Sequence, residues 1–300
     1  MRFPILYVFA LAVAWCGSPV ASDIATLRAK LIDAKQGVMV VAHRGCWHEA
    51  PENSLAAIEA CADLGVDMVE IDVQRSHDNV LFLMHDATVD RMTPAKGAIV
   101  DFNSIDLKRL KLKQSQGEAG TTLTDQYVPT LAQALEVARG RVLINIDAKA
   151  DVYADVAALL QRMGLADQVL MKMPAPPSDP KPRSIPLMRM AHFMPVINER
   201  EGYGPLSRVA GGYADLSPVA YEIIFQTLPY FQEGQAALKA TGKRIWVNAL
   251  RPEHAAGFID HEALNDPDGN WGRLIDMGVS IIQTDEPKTL IRYLQQRELR

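Results

Sequence analysis

GVMVVAHRG, residues 37–45, is the stretch on which the fold turns: a short apolar run rich in valine, closed by a histidine, an arginine and a glycine. Too short for a helix and bounded by glycines, the run predicts a strand buried on both faces. A helix follows, with Leu55, Ile58 and Cys61 at helical spacing and Gly65 as the stop. Strand, polar loop and helix make one crossover unit, and working outward the unit recurs. Residues 66–73, 80–84, 142–148, 169–173, 244–250 and 279–284 predict further strands. Thr130 and Gln133 stand in capping-box spacing before a helix that Gly140 ends, and residues 151–163 predict a helix closed by Gly164. Residues 187–193 and 208–216 compete for the sixth strand.

Such alternation implies a parallel sheet, and polar tips after apolar strands imply one shared catalytic face. Three hundred residues would make two average domains or one α/β barrel. The rhythm favours the barrel, a single (β/α)8 domain over residues 23–300. Residues 86–128 are polar and predict a small insertion within it, and residues 174–186, with six prolines, predict an extended loop over the same face.

The termini and the composition limit the setting. Arg2 precedes a 14-residue apolar run ending at Cys16, short of the ~20 residues a spanning helix needs. With Val20-Ala21-Ser22 as a cleavage signal, residues 1–22 read as a signal peptide and the mature chain starts near Asp23, exported to a periplasmic or secreted location. A net charge of −5 is the wrong sign for binding nucleic-acid backbones. No helix rich in Lys and Trp announces membrane docking, so the expected partner is a small water-soluble molecule. Cys46 and Cys61 remain in an oxidising compartment. A helix starting near Asn53 puts Cys61 roughly 12 Å along it, away from Cys46 in the preceding loop, so two free thiols are expected.

The chemistry sits at strand tips. Side chains alternate along a strand, so Glu70 and Asp72 point one way, as do Asn145, Asp147 and Lys149. Three carboxylates inside a barrel mouth repel one another and resist desolvation, and a hard divalent cation, Mg²⁺ or Ca²⁺, removes the difficulty. The segment before residue 80 is too short for a crossover, so a hairpin with a two-residue turn at Asp78-Asn79 is expected to set His85 opposite Asp72. His43 supplies a second imidazole, with Arg44 beside it. Two histidines, a metal and two cations, Arg44 and Lys149, suit cleavage of a phosphodiester: anionic oxygens need positive charge, a nucleophile loses a proton and an alkoxide gains one.

His43-Arg44-Gly45, Pro51-Glu52-Asn53-Ser54, Glu70-x-Asp72, His85-Asp86 with Asp90-Arg91, Asn145-x-Asp147-x-Lys149, Trp246-Val247-Asn248 and Thr284-Asp285-x-Pro287, in that order, resemble the glycerophosphodiester phosphodiesterase family. The resemblance implies a TIM barrel of the phospholipase-C-like type, one divalent cation, and hydrolysis of glycerophosphodiesters to sn-glycerol 3-phosphate and an alcohol. It implies His43 and His85 as acid/base pair, Arg44 and Lys149 as phosphate ligands, Glu70, Asp72 and Asp147 as metal ligands, and Trp246 as a wall for the glycerol moiety. Asp147 stands where the family often has Glu. Sphingomyelinase-D-like relatives share the two histidines and an Asp-x-Lys, which keeps a lysophospholipase-D or sphingomyelinase-D-like activity on lipid headgroups as an alternative. The Pro-Glu-Asn-Ser segment favours the first family.

Plainer roles stand beside these. Asn53 could simply cap the following helix, Glu52 could add a contact to the metal or its surroundings, and Asp86 with Arg91 reads as a structural ion pair. Asp285 reads as closing the barrel mouth by hydrogen bonding, Trp246 could be barrel filling, and the other five histidines, His254 among them, read as surface residues. A non-catalytic exported protein that binds a phosphorylated polyol is the alternative from another class, disfavoured because the set of proton-transfer residues is intact.

Overall fold

The computed structural model describes residues 23–300. Its strands are β1 (Met39–Ala42), β2 (Met68–Arg75), β3 (Leu81–Leu83), β4 (Lys111–Lys113), β5 (Leu123–Tyr127), β6 (Leu143–Ala148), β7 (Val169–Pro174), β8 (His192–Asn198), β9 (Ala220–Ile224), β10 (Arg244–Asn248) and β11 (Ile281–Thr284). Eight of them run parallel in the order β1-β2-β6-β7-β8-β9-β10-β11, and β11 pairs back onto β1, closing a TIM barrel. The expected signal peptide lies outside the described residues. Among the described residues no helix is long and apolar enough to cross a membrane.

Local chemistry sets the element ends. Ser54 accepts a hydrogen bond from the Ala57 N–H to start helix Leu55–Leu64, and Gly65, at φ 80°, ends it in the left-handed conformation. Thr130 and Gln133 form a reciprocal capping box on helix Leu131–Ala138. Strand five of the barrel overlaps the first expected segment only at His192 and Phe193, and strand six lies outside both. Both expected segments contain helices, Leu187–Met190 and Leu206–Gly211, and the strands are β8 and β9. Pro195 inside β8 and Glu222 inside β9 interrupt the apolar run by which a buried strand is recognised, which explains the miss. The proline-rich stretch is also not wholly extended, since Lys181–Ser184 forms a helical turn with proline at its start.

The barrel is packed in layers. Met39, Val41, Met68, Leu143, Leu170, Met194, Ala220, Trp246 and Ile281 point inward near the N-terminal ends of the strands and form an apolar plug. Helix Ile24–Ile32 covers it from below with Leu27 and Leu31. Buried Arg244 ties that helix segment to the barrel, donating to the carbonyls of Lys30 and Asp33 at 2.8 Å and of Gly37 and Ser280 at 3.0 Å. Outward-facing residues such as Val40, Val69, Ile71, Ile144, Ile146 and Val247 pack beneath the outer helices.

Residues 86–128 hold the β4–β5 ribbon, and Val89, Met92, Ile99, Leu107, Leu112 and Val128 pack there with Phe82 and Met84 as a separate apolar cluster. β3 runs antiparallel to β2, as a hairpin return requires, but with Val73 opposite Leu83. The register is thus one residue from the expected one: Met84 donates its N–H to the Asp72 carbonyl, and His85 lies beyond the paired segment.

A candidate active site at the barrel mouth

Above the apolar plug the inward positions turn polar. β2 contributes Glu70 and Asp72, β6 Asn145 and Asp147, β7 Lys172, β9 Glu222, β10 Asn248 and β11 Gln283. Alternation dictates this, because a polar residue lies two positions beyond an apolar plug residue on its strand, Met68 then Glu70, Leu143 then Asn145, Leu170 then Lys172, Ala220 then Glu222, Trp246 then Asn248, and Asp72 and Asp147 lie two positions further. The register sets Glu70 beside Asn145 and Asp72 beside Asp147 on adjacent strands. The result is a cavity of about 290 Å³ whose lining includes His43, Arg44, His85, Lys149, Arg251 and His254.

Glu70, Asp72 and Asp147 each offer a carboxylate oxygen within 4.8 Å of the others. Lys149 Nζ stands 3.1 Å from Asp72 Oδ1 and 3.0 Å from Asp147 Oδ2, and Lys172 Nζ stands 3.1 Å from Asp147 Oδ2. Burial, and then the Asp72 charge, push Glu70 up to about 7. Burial acts in the same direction on Asp147, but Lys172 and Lys149 outweigh it and hold that carboxyl well below the usual range. Buried oxygens without a hydrogen-bond partner collect here, Asn145 Oδ1, Glu222 Oε2 and Gln283 Oε1, and Asp72 Oδ1 has only its ion pair with Lys149. Lone acceptors beside a tight oxygen-only cluster are what a hard divalent cation satisfies, so the residues fit a metal of the Mg²⁺ or Ca²⁺ type.

Each histidine is oriented by its own aspartate. His43 Nδ1 lies 2.9 Å from Asp285 Oδ1, and Arg44 donates through Nε to His43 Nε2 at 3.2 Å. Because Nε2 accepts from Arg44, the ring proton sits on Nδ1 and is donated to Asp285. Burial pulls the His43 pKa down, but the Asp285 hydrogen bond and the charges of Glu70 and Asp285 outweigh it, and the net shift is upward. Across the cavity His85 Nδ1 lies 2.8 Å from Asp86 Oδ1, and Arg91 grips Asp86 at 2.8 and 3.0 Å.

The loop after β1 carries Arg44 at φ 57° and Asn53 at φ 55°. Arg44 donates its backbone N–H to Glu70 Oε2 at 3.0 Å and its guanidinium to Glu52 Oε2, also at 3.0 Å. Glu52 is buried. It bridges Arg44 and Arg91, whose Nη2 reaches Glu52 Oε1 at 2.7 Å. Asn53 is no helix cap: its amide donates to Asp72 Oδ2 at 2.8 Å and its oxygen accepts the Asp72 N–H at 3.0 Å, fixing that carboxylate.

Two expectations are corrected. Cys46 and Cys61 are not free thiols but a disulfide, with Cα atoms 5.3 Å apart. The loop doubles back along the helix instead of stopping at its start: Cys46 donates its N–H to the Ala57 carbonyl, and Gly45, at φ 84°, passes so close that a Cβ there would lie 2.9 Å from Ala57 Cβ. Trp246 is no wall for a ligand. It is fully buried in the plug below the cavity, and its indole N–H donates to Asn248 Oδ1 at 2.7 Å.

Several residues of the site lie outside the set expected from sequence. Asp285 and Asp86 orient the imidazoles beyond their expected structural roles, and His254 lines the cavity instead of the surface. Lys172 and Glu222 went unnoticed. An inward lysine two residues after Leu170 was a readable signal for the first, whereas Glu222 required knowing where β9 lies.

The model of the glycerophosphoryl diester phosphodiesterase family matches residues 43–171, which carry His43, Arg44, Glu70, Asp72, His85, Asp147 and Lys149. A model described as a domain of unknown function matches residues 193–294. A glycerophosphodiester phosphodiesterase from Caldanaerobacter subterraneus is 36% identical over 115 residues, 38% of this chain and 46% of that protein. The chain thus spans less than half the length of the curated relatives it matches. A glycerophosphodiester phosphodiesterase structure from Agrobacterium tumefaciens aligns with a TM-score of 0.61 and 25% identity, covering 84% of this chain and 97% of that one. A phosphodiesterase from Oleispira antarctica, solved with the product sn-glycerol-3-phosphate, has the same fold at a TM-score of 0.63 and 20% identity, covering 86% and 97%. With the motif residues gathered at one barrel mouth, residues 43–171 are similar to the glycerophosphodiester phosphodiesterase family, and the chain shares the fold of that family's solved structures.

Proposed function

We propose that this protein is a divalent-metal-dependent phosphodiesterase that hydrolyses glycerophosphodiesters to sn-glycerol 3-phosphate and an alcohol. The observation that carries the reading is the pair of aspartate-held imidazoles, His43–Asp285 and His85–Asp86, lining one cavity with the carboxylate cluster and the cations Arg44 and Lys149. A hard divalent ion, Mg²⁺ or Ca²⁺, held by Glu70, Asp72 and Asp147 would supply positive charge to a non-bridging phosphate oxygen. Arg44 and Lys149 supply the remaining charge for the equatorial oxygens. The attacking oxygen, from water or the glycerol 2-hydroxyl, gives its proton to His43 Nε2 as its bond to phosphorus forms. The bond from phosphorus to the alcohol oxygen breaks, and His85 protonates the departing oxygen. Where the 2-hydroxyl attacks, the cyclic phosphate that results is opened by a water, which gives its proton to His85 while the imidazolium of His43 returns a proton to the 2-oxygen. Asp285 keeps the His43 proton on Nδ1 and stabilises the imidazolium that results.

A cavity of about 290 Å³ suits a glycerophosphate with a small alcohol, and an acyl chain would lie outside it. The disulfide is in keeping with export to an oxidising compartment after removal of residues 1–22. The test is incubation with glycerophosphocholine and glycerophosphoethanolamine, with and without a chelator, reading sn-glycerol 3-phosphate. Chelator-sensitive release is expected, and it should fall by orders of magnitude in His43→Ala and in His85→Ala. No release with any divalent ion would sink the proposal and move the substrate to lysophospholipids or sphingolipids.

A further inference from the structure

The proposed chemistry leaves two buried charged residues of the cavity unused, Lys172 on β7 and Glu222 on β9. Lys172 Nζ is 3.1 Å from Asp147 Oδ2, and 3.8 Å from both Glu70 Oε1 and Glu222 Oε2. Its ammonium thus occupies the side of the cluster shared by two candidate metal ligands, while its separation from Glu222 is too long for a hydrogen bond. Glu222 is held from behind. The Trp246 indole donates to Asn248 Oδ1, which fixes the amide so that Asn248 Nδ2 donates to Glu222 Oε1 at 2.8 Å. Glu222 Oε2 is left buried with no hydrogen-bond partner. An unpaired carboxylate oxygen in the interior is costly, and its nearest cation belongs to another carboxylate.

A divalent ion repels both ammonium groups that sit against Asp147, those of Lys149 and Lys172. Lys149 has the substrate phosphate to turn to, whereas the other carboxylate within 4 Å of Lys172 that is not a candidate metal ligand is Glu222. We propose that Lys172 is the built-in counter-ion of the carboxylate cluster and that Glu222 takes it over when a divalent ion binds Asp147, so that the pair sets the metal affinity of the site. The inference rests on the metal-dependent reading above and adds to it two residues that act on the metal through each other. It also accounts for Trp246 and Asn248, which hold the receiving carboxylate in place.

The test is a double-mutant cycle read by calorimetric titration of the chelator-treated protein with Mg²⁺ or Ca²⁺. Lys172→Met removes the competing cation and should tighten metal binding about tenfold or more. Glu222→Gln removes the second partner and should weaken it by about the same factor in the wild-type background, yet by less than about twofold in the Lys172→Met background. Should Lys172→Met fold poorly, Lys172→Gln serves, and the metal-induced rise in Tm, expected to exceed that of wild type, is the second readout. Additive effects, or Lys172 variants that bind metal no tighter than wild type, overturn the proposal. If wild type in the same preparation still binds metal and releases sn-glycerol 3-phosphate, only the inference has failed. If wild type binds no divalent ion, the metal-dependent reading falls with it.

Discussion

Replacing Asp285 by Asn removes a charge and leaves the shape nearly intact, so it isolates what the aspartate does for His43. Asp285 Oδ1 lies 2.9 Å from His43 Nδ1 and also accepts the Trp47 indole N–H at 2.7 Å. When His43 takes a proton from the nucleophile it becomes a cation, and the Asp285 charge stands against it. At an effective dielectric of about 20 and about 4 Å between charge centres, that interaction amounts to about 4 kcal/mol. At 1.36 kcal/mol per decade this corresponds to about 10³-fold in kcat, with KM changed by less than about threefold. Steady-state release of sn-glycerol 3-phosphate measures it. The pH profile separates charge from scaffolding: Asp285 helps to hold the His43 pKa above its ordinary value, so its loss should move the acid limb of kcat to lower pH. Asp285→Asn with wild-type kcat, or a slower enzyme whose acid limb has not moved, would refute the assigned pairing.

Reducing the Cys46–Cys61 disulfide, or replacing both residues by Ser, frees a 15-residue span and should cost about 3 kcal/mol in denaturant unfolding. A variant as stable as the oxidised protein would contradict this. Trp246→Phe should destabilise by about 1–3 kcal/mol, because buried Asn248 Oδ1 loses its donor, while KM stays within about twofold. A tenfold rise in KM at unchanged stability would restore Trp246 as a wall of the substrate site. Arg244→Met strands the carbonyls of Lys30, Asp33, Gly37 and Ser280 and should lower the urea midpoint by an amount equivalent to about 3 kcal/mol or more. An unmoved midpoint would show that helix Ile24–Ile32 docks without that arginine.

Much of the barrel and the heart of the site were legible along the chain because both are written in short-range periodicities. A strand alternates every two residues, so Glu70 with Asp72 and Asn145 with Asp147 had to share a face, and the apolar residues below them had to share the interior. Helix starts and stops at Thr130, Gly65 and Gly164 are chemistry of three or four neighbouring residues. What sequence could not supply depends on where the chain goes between elements. The β2–β3 register hung on one residue of turn geometry. Cys46 reached Cys61 only because the loop folds back over Ala57. Asp285 follows His43 by 242 positions, and they meet because β11 closes the ring onto β1. Glu222 reaches the cavity from a strand that Pro195 and its own charge had disguised. Local alternation decides which way a side chain points; only closure of the barrel decides what it meets there.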